Sequence, residues 1–375
     1  MKRDFALILI IVLLSFDLFC HKIINNPEKP SKQDSGRQVS LKIDKIIVDD
    51  GENFYFTWPA NVKEAADGCF YALDKDQFLK FDTTGKFVKN LMKKGQGAGE
   101  LVNISNYLLS VENEIVIHNT YPNKIIKIDA NGKLLIEKRI YTNKYMTLFH
   151  QDRDRYFFLN REVENTKGKA KMVEVDLQIL SVLKRDHTIE KKFSFSMINF
   201  AFRAEGVFAI IRTTPFLICP FRENLFFISH TPEYGIKLID LDSSKIFFEF
   251  KRDYKRVRVT EENKKYLPPG HFTIAGKLQK PPTPKYLNDI QSIHFINDRL
   301  WVFTSTVDKE KGVLVDVFDE NGKYVDCFYL KFQYKDSNHK LQQNQLTVVK
   351  NALYLVEQNE AGNWMITKYI IPPGK

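Results

Sequence analysis

Short apolar and aromatic runs, broken by polar turns, set the pattern of this chain. From Cys69 to Leu91 the order is an apolar run (Cys69–Leu73), a polar turn (Asp74–Gln77), a second run (Phe78–Phe81), a glycine turn (Asp82-Thr83-Thr84-Gly85) and a return run to Leu91. Runs of this length and aromatic content between turn residues predict strands, and the glycine can supply the positive φ of a tight reversal. The unit is three consecutive antiparallel strands.

The unit recurs. Lys127–Leu134 and Val317–Tyr324 repeat Lys80–Phe87 around an Asp-x-x-Gly turn, and weaker copies lie at Glu174–Leu177 and Leu238–Leu241. Asp82, Asp129 and Asp176 follow one another at 47 residues, a period that suits a four-stranded propeller blade. Aromatic strands precede the turns at Glu114–His118, Arg155–Leu159, Leu225–Ser229 and Arg299–Thr304, and a last one lies at Ala352–Val356. These place six blades near 59–100, 101–144, 145–195, 213–255, 290–335 and 340–372. A seventh would need 193–214 to count as strands. The sixth lacks an outer strand, which Val39–Val48 can supply, closing the ring and removing its open edge. The expectation is an all-β, six-bladed β-propeller of four-stranded antiparallel blades, spanning 39–375.

Three stretches carry a family resemblance: Asp67–Asp74, Lys80–Lys86 and Gly95-Gln96-Gly97-Ala98-Gly99-Glu100-Leu101. With them the chain resembles the NHL-type six-bladed propellers of bacterial envelope proteins, with Ala98 where proline is usual and Leu101 where phenylalanine is usual. The resemblance implies a fold and an envelope location. It implies no activity, because propellers host binding modules and enzymes alike. Gly95–Gly99 also admits a phosphate-cradling reading, which would require a following helix with Lys and Ser/Thr; Leu101–Val111 has neither.

Residues 1–19 read as an export signal, with Lys2 and Arg3 before the apolar run Phe5–Phe16. That run is too short for the roughly 20 residues of a membrane span. Cys20 follows as a lipidation site, giving a lipoprotein held in the envelope, although Asp17-Leu18-Phe19 departs from the usual motif. Soluble secretion and an uncleaved anchor are the alternatives. Residues 20–38 read as a flexible tether. The net charge of +10 favours an anionic partner or a solvated surface, and in an exported protein it argues against nucleic acid. Cys69, Cys219 and Cys327 are odd in number, lack metal-ligand spacing and read as buried free thiols.

Function is expected on the face bearing the B–C loops and the junctions between blades. Aligning the ends of the second strands brings together Asp74, His118 with Asn119, Asn160 with Arg161, His230 with Thr231, Thr304 with Ser305, and Glu357 with Gln358. This set would ring the mouth of the channel and bind a protein, peptide or glycan, with no cofactor and the chain a monomer. The competing class is an enzyme at the same rim: a metal-dependent lyase or hydrolase using His118 and His230, or a glycan-active enzyme. No G-x-S-x-G elbow is present, and Ser305 has no neighbouring base in sequence. The Asp-x-x-Gly turns lack the spacing of a calcium loop. A long excursion, 251–289, carries Arg252, Lys255, Arg256 and Arg258 as candidate carboxylate or phosphate ligands. Its prolines exclude regular structure, and it could fold over the binding face as a lid.

Overall fold

The computed structural model describes residues 22–371 except 111, 143, 164–167, 205–206, 212, 268–271, 275–276, 340, 342–344 and 350. The export signal, Cys20, Pro268 and Pro269 therefore lie outside the described residues.

Six antiparallel sheets form the ring, each named here A to D from axis to rim. Blade 1 is Pro59–Glu64, Phe70–Asp74, Gln77–Phe81 and Phe87–Asn90; blade 2 is Ile104–Leu109, Ile115–Thr120, Asn123–Ile128 and Leu134–Arg139. Blade 3 is Met146–Gln151, Arg155–Val163, Gly168–Leu183 and Ile189–Ala204, with Val207–Ile211 added outside. Blade 4 is Leu217–Arg222, Leu225–Ser229, Gly235–Asp240 and Lys245–Arg252; blade 5 is Ile290–Ile296, Arg299–Asp308, Gly312–Phe318 and Tyr324–Lys331. Blade 6 is Leu346–Val349, Ala352–Gln358 and Trp364–Ile370, completed by Lys42–Val48.

The middle strands are buried on both sides. In Phe70–Asp74 every residue is buried, because alternate side chains enter different interfaces. Phe70 and Ala72 pack with Tyr354 and Ile366 of blade 6, whereas Tyr71 and Leu73 pack with Tyr107 and Ile117 of blade 2. The same division repeats around the ring and produces six inter-blade cores. A buried ion pair joins blades 4 and 5. Arg252 donates to both oxygens of Asp316 (3.0 and 3.1 Å), and the hydroxyls of Tyr234 and Tyr324 donate to the same carboxylate. With so many donors the carboxylate is fully solvated by protein, which is what such burial requires.

The structure corrects three expectations. Residues 22–38 are not a free tether. Lys22–Asn26 adds a parallel fifth strand to blade 4, and Arg37–Ser40 adds one to blade 5. Asn26 bridges both blades, donating to the carbonyls of Lys251 and Gly322 and accepting from the amide of Tyr324. Asp176 is no turn residue: it sits inside a 16-residue strand, opposite Ser196 and Glu162. The C–D turn of blade 3 is at Asp186, whose carboxylate accepts the Thr188 amide. The stretch 193–214 is not a seventh blade. It is largely the long outer strand of blade 3 and the strand added to it.

The excursion after blade 4 is ordered at its described residues. Its two ends pair through Val259 N–H to Lys285 O and Leu287 N–H to Val257 O, and a short hairpin, Phe272–Ile274 with Lys277–Gln279, lies between them. It leans on blades 5 and 6: Lys265 and Tyr266 contact Asp336, and the Tyr266 ring stacks on His339 at 4.1 Å.

Ile47 of the closing strand is buried in the core between blades 6 and 1, whereas its neighbour Ile46 is exposed. Ile47→Ala is expected to lower unfolding free energy by about 2–4 kcal/mol, and Ile46→Ala by less than about 0.5 kcal/mol. Paired urea titrations check this; equal losses would mean that the closing strand does not seal the ring through its buried face.

Candidate functional site

The second strands run out to the face formed by the B–C loops and the inter-blade junctions; Asp74, His118 with Asn119, His230 with Thr231, and Glu357 with Gln358 lie at or just past their ends, whereas Asn160, Arg161, Thr304 and Ser305 lie inside strands that continue to Val163 and Asp308. The polar residues at those ends are mostly buried and turned to the protein itself. The Asp74 carboxylate accepts the amides of Thr57 (2.7 Å) and Trp58 (2.6 Å), the two residues before strand A of its own blade. Burial pushes its pKa above the ordinary carboxylate value, against the pull of these amides. Asn119 repeats the arrangement in blade 2: its side-chain oxygen accepts the amides of Val102 (2.8 Å) and Asn103 (2.9 Å), and its Nδ2 donates to Pro122 O. These two side chains are clamps on the loops that enter their blades.

The rest of the predicted rim is also engaged. His118 is buried, with Nδ1 bonded to Ser105 Oγ (2.6 Å) and Nε2 to Asn123 Oδ1 (2.9 Å), and its ring is 5.0 Å from Phe158. His230 bonds to Lys237 Nζ at 3.0 Å, with its ring 4.9 Å from Phe195. Burial lowers both imidazoles to about 4. The two histidines sit in separate inter-blade cores, and among the described residues no group of three or more His, Cys, Asp or Glu converges as a metal-ligand set. Asn160 donates to Glu162 and Gln178; Thr231 donates to Glu233 O; Thr304 donates to Leu314 O; Ser305 donates to Asn288 O. Glu357 is buried and accepts from Ser337 and Tyr369, and Gln358 donates to Gly362 O. Arg161 is half-buried.

The basic excursion is likewise partly neutralised. Arg252 is held by Asp316. Arg256 donates to Asp289 (2.9 Å) and Glu233 (3.0 Å), while Lys255 and Arg258 remain exposed. Burial pushes Asp289 up to about 6, with Arg256 opposing it.

The glycine-rich junction is a closed loop. Glu100 accepts the Gly97 amide, Glu137 accepts the Gly99 amide, and buried Lys124 ties Gly97 O to Glu137. The amides that would cradle a phosphate are occupied by carboxylates, and a strand, not a helix, follows. At Gly95 (φ +153°) a Cβ would collide with the Glu100 carboxylate, so glycine is required for that carboxylate to fold over the loop. The Asp-x-x-Gly carboxylates serve their own turns: Asp82, Asp129 and Asp319 each accept two backbone amides within the reversal. The three cysteines are free thiols, two of them buried.

What this face offers to solvent is aromatic, and the repeat alignment missed it. Among the described residues the exposed tyrosines and tryptophans are Tyr55, Trp58, Tyr121, Tyr141 and Tyr145, between 53 and 85% exposed. All five lie on its loops: Tyr55 and Trp58 before strand A of blade 1, Tyr121 between strands B and C of blade 2, Tyr141 and Tyr145 in the junction to blade 3. Trp58 also packs against Trp364 of blade 6 at 5.2 Å. The clamps hold the loops of blades 1 and 2 in place. Asp74 fixes the Trp58 amide, Gln77 donates to Tyr55 O (2.6 Å), and Asn119 fixes the carbonyl after Tyr121. A signal existed in the loop composition, Tyr-Phe-Thr-Trp, Asn-Thr-Tyr-Pro-Asn and Tyr-Thr-Asn-Lys-Tyr, where aromatics sit among turn residues rather than in strand patterns.

The sequence profile of a family described as 6-bladed beta-propeller matches residues 22–228, more than half of the chain. No curated protein matches. Among solved structures, a protein from Bacteroides fragilis inferred to be exported superposes with a TM-score of 0.51 at 13% identity, over 94% of this chain and 100% of that one. A member of the duf4221 family from Bacteroides vulgatus gives 0.52 at 12% identity, over 89% and 98%. At these identities the likeness is one of fold.

Two measurements test these roles. Asp74→Ala is expected to cost about 1–3 kcal/mol, because two backbone amides lose their acceptor, and to alter the emission of Trp58; an unchanged urea midpoint would remove the clamp role. His118, neutral in the fold with a pKa near 4 and near 6.5 when unfolded, contributes stability that is present above pH 6.5 and lost as pH falls toward 4. The slope of stability against pH in that window should be shallower in His118→Gln by up to about 1.4 kcal/mol per pH unit. Identical slopes in variant and parent would show that this imidazole titrates freely.

Proposed function

We propose that this chain, which belongs to the 6-bladed beta-propeller family, is an extracytoplasmic binding module that recognises a protein, peptide or glycan with the aromatic arc on its junction face. One observation carries the reading: the exposed tyrosines and tryptophans of the described residues are confined to the loops of that face on blades 1 to 3. Tyrosine and tryptophan give large, stiff, amphipathic contact area for little conformational entropy, and a rigid ring presents them without a folding cost on binding. The export location rests on Lys2, Arg3 and the apolar run that follows them, with lipid attachment at Cys20 as part of the same proposal. The Asp-x-x-Gly turns and the Gly95–Leu101 junction support an NHL-type repeat.

An enzyme using the predicted rim is less well supported, on positive grounds. Both ring nitrogens of His118 are bonded to protein partners, His230 bonds to a lysine, and Asp74 and Asn119 are spent on backbone amides.

Site-specific photo-cross-linking on whole cells tests the reading. A benzophenone residue in place of Tyr121 or Tyr141 should form adducts, and one in place of Asn131, in the C–D turn on the opposite face of blade 2, should not. Adducts from Asn131 alone would move recognition to the other face.

A further inference from the structure

We infer that the ligand of the aromatic arc is a saccharide chain, laid across blades 1 to 3 with sugar rings stacked on Trp58, Tyr121 and Tyr141. The inference rests on the binding reading above and goes on to name the ligand.

The rings are isolated. Among the described residues the side chains of Tyr55, Tyr121, Tyr141 and Tyr145 make no contact with another aromatic ring and no hydrogen bond; Trp58 alone has a ring neighbour, Trp364. Each ring is more than half exposed. No exposed aliphatic side chain of the described residues lies on the loops that carry these rings. The exposed aliphatic side chains of the described residues lie away from the loops of blades 1 to 3: Val48, Val88, Leu135 and Ile136 on outer strands, for example, Met172 and Ile198 on the long strands of blade 3, and Leu278 on the hairpin of the excursion. A polypeptide partner is held best by a contiguous apolar centre that water cannot reach, ringed by polar contacts. Among the described residues the loops of blades 1 to 3 have no such centre. They have single plates among exposed polar side chains, including Thr57, Lys75 and Lys93.

That pattern is complementary to a sugar. A pyranose has an apolar face of C–H groups and a rim of hydroxyls. The face stacks on an aromatic plate, and the hydroxyls take hydrogen bonds from polar groups beside it, including the tyrosine's own O–H. Plates supplied by three successive blades suit an extended chain of such rings. Asp74 and Asn119 act as positioning residues: they fix the Trp58 amide and the Pro122 carbonyl beside Tyr121 before any ligand arrives.

The test is co-sedimentation of the purified full chain with insoluble cellulose, chitin, mannan and cross-linked polygalacturonate, covering neutral and acidic chains. At least one matrix should retain the protein. Tyr121→Ala and Tyr141→Ala should each weaken retention at least about tenfold, the effect of one lost anchor. Tyr121→Phe should fall between, and Asn131→Ala on the far face should bind as the parent does. Both tyrosines are exposed, so the unfolding midpoints should not move, which separates lost binding from lost fold. No retention on any matrix, or retention that these variants leave unchanged, overturns the saccharide assignment. If Tyr121 and Tyr141 then cross-link to a polypeptide in cells, the binding face stands and the ligand class is wrong. If only the far face cross-links, both fall.

Discussion

The ring depends on one ladder. Trp364–Ile370 pairs with Lys42–Val48, so the last blade is finished by residues more than 300 positions earlier in the chain. Without that strand, blade 6 would show an unpaired edge, and Ile47 would leave the core it shares with Phe70, Phe81 and Tyr354. Each blade interface is braced by the next, so a gap at one seam removes the constraint that holds the others in register. Contacts so distant in sequence are slow to form, and the fold is complete only when both ends of the chain are present.

The closure places the binding face in context. The junctions that join one blade to the next all emerge on one side, and those entering blades 1 and 2 are set from below by the ends of the second strands. Asp74 and Asn119 do this through backbone amides, which makes them indifferent to the side chains they position. Loops clamped in this way can carry any sequence. In blades 1 and 2 they carry Tyr55, Trp58 and Tyr121, with Tyr141 and Tyr145 in the next junction; over blades 5 and 6 the same side of the ring is occupied by the excursion, held by Lys265, Tyr266 and the neck around Arg256.

Blade number, strand order and closure were legible in the sequence, because a strand buried on both faces must be apolar throughout and its turns must be polar. The positions of Asp74, His118 and Asn119 were legible for the same reason. Their roles were not, since a polar residue at a strand end looks alike whether it faces a ligand or an amide 16 residues upstream. The even spacing that took in Asp176 misled because the third and fourth strands of blade 3 run to 16 residues each, at least twice the length of their counterparts, and move the turn to Asp186. Residues 22–38 looked like a tether because rim strands bond through the backbone, and Lys22–Asn26 keeps mostly exposed side chains while doing so. The aromatic arc was hidden among 30 phenylalanines and 16 tyrosines, most of which the inter-blade cores require.

The N-terminal segment has a mechanical meaning. Travelling inward from residue 22, it crosses three clasps in series: five residues along blade 4, four along blade 5, and the seven that seal blade 6. Tension applied at that end is met first by the parallel strand on blade 4 and the Asn26 bridge. The sealing strand is loaded last. A pull from that end would therefore be dissipated by sacrificial outer strands while the ring, and the face it presents, kept its shape.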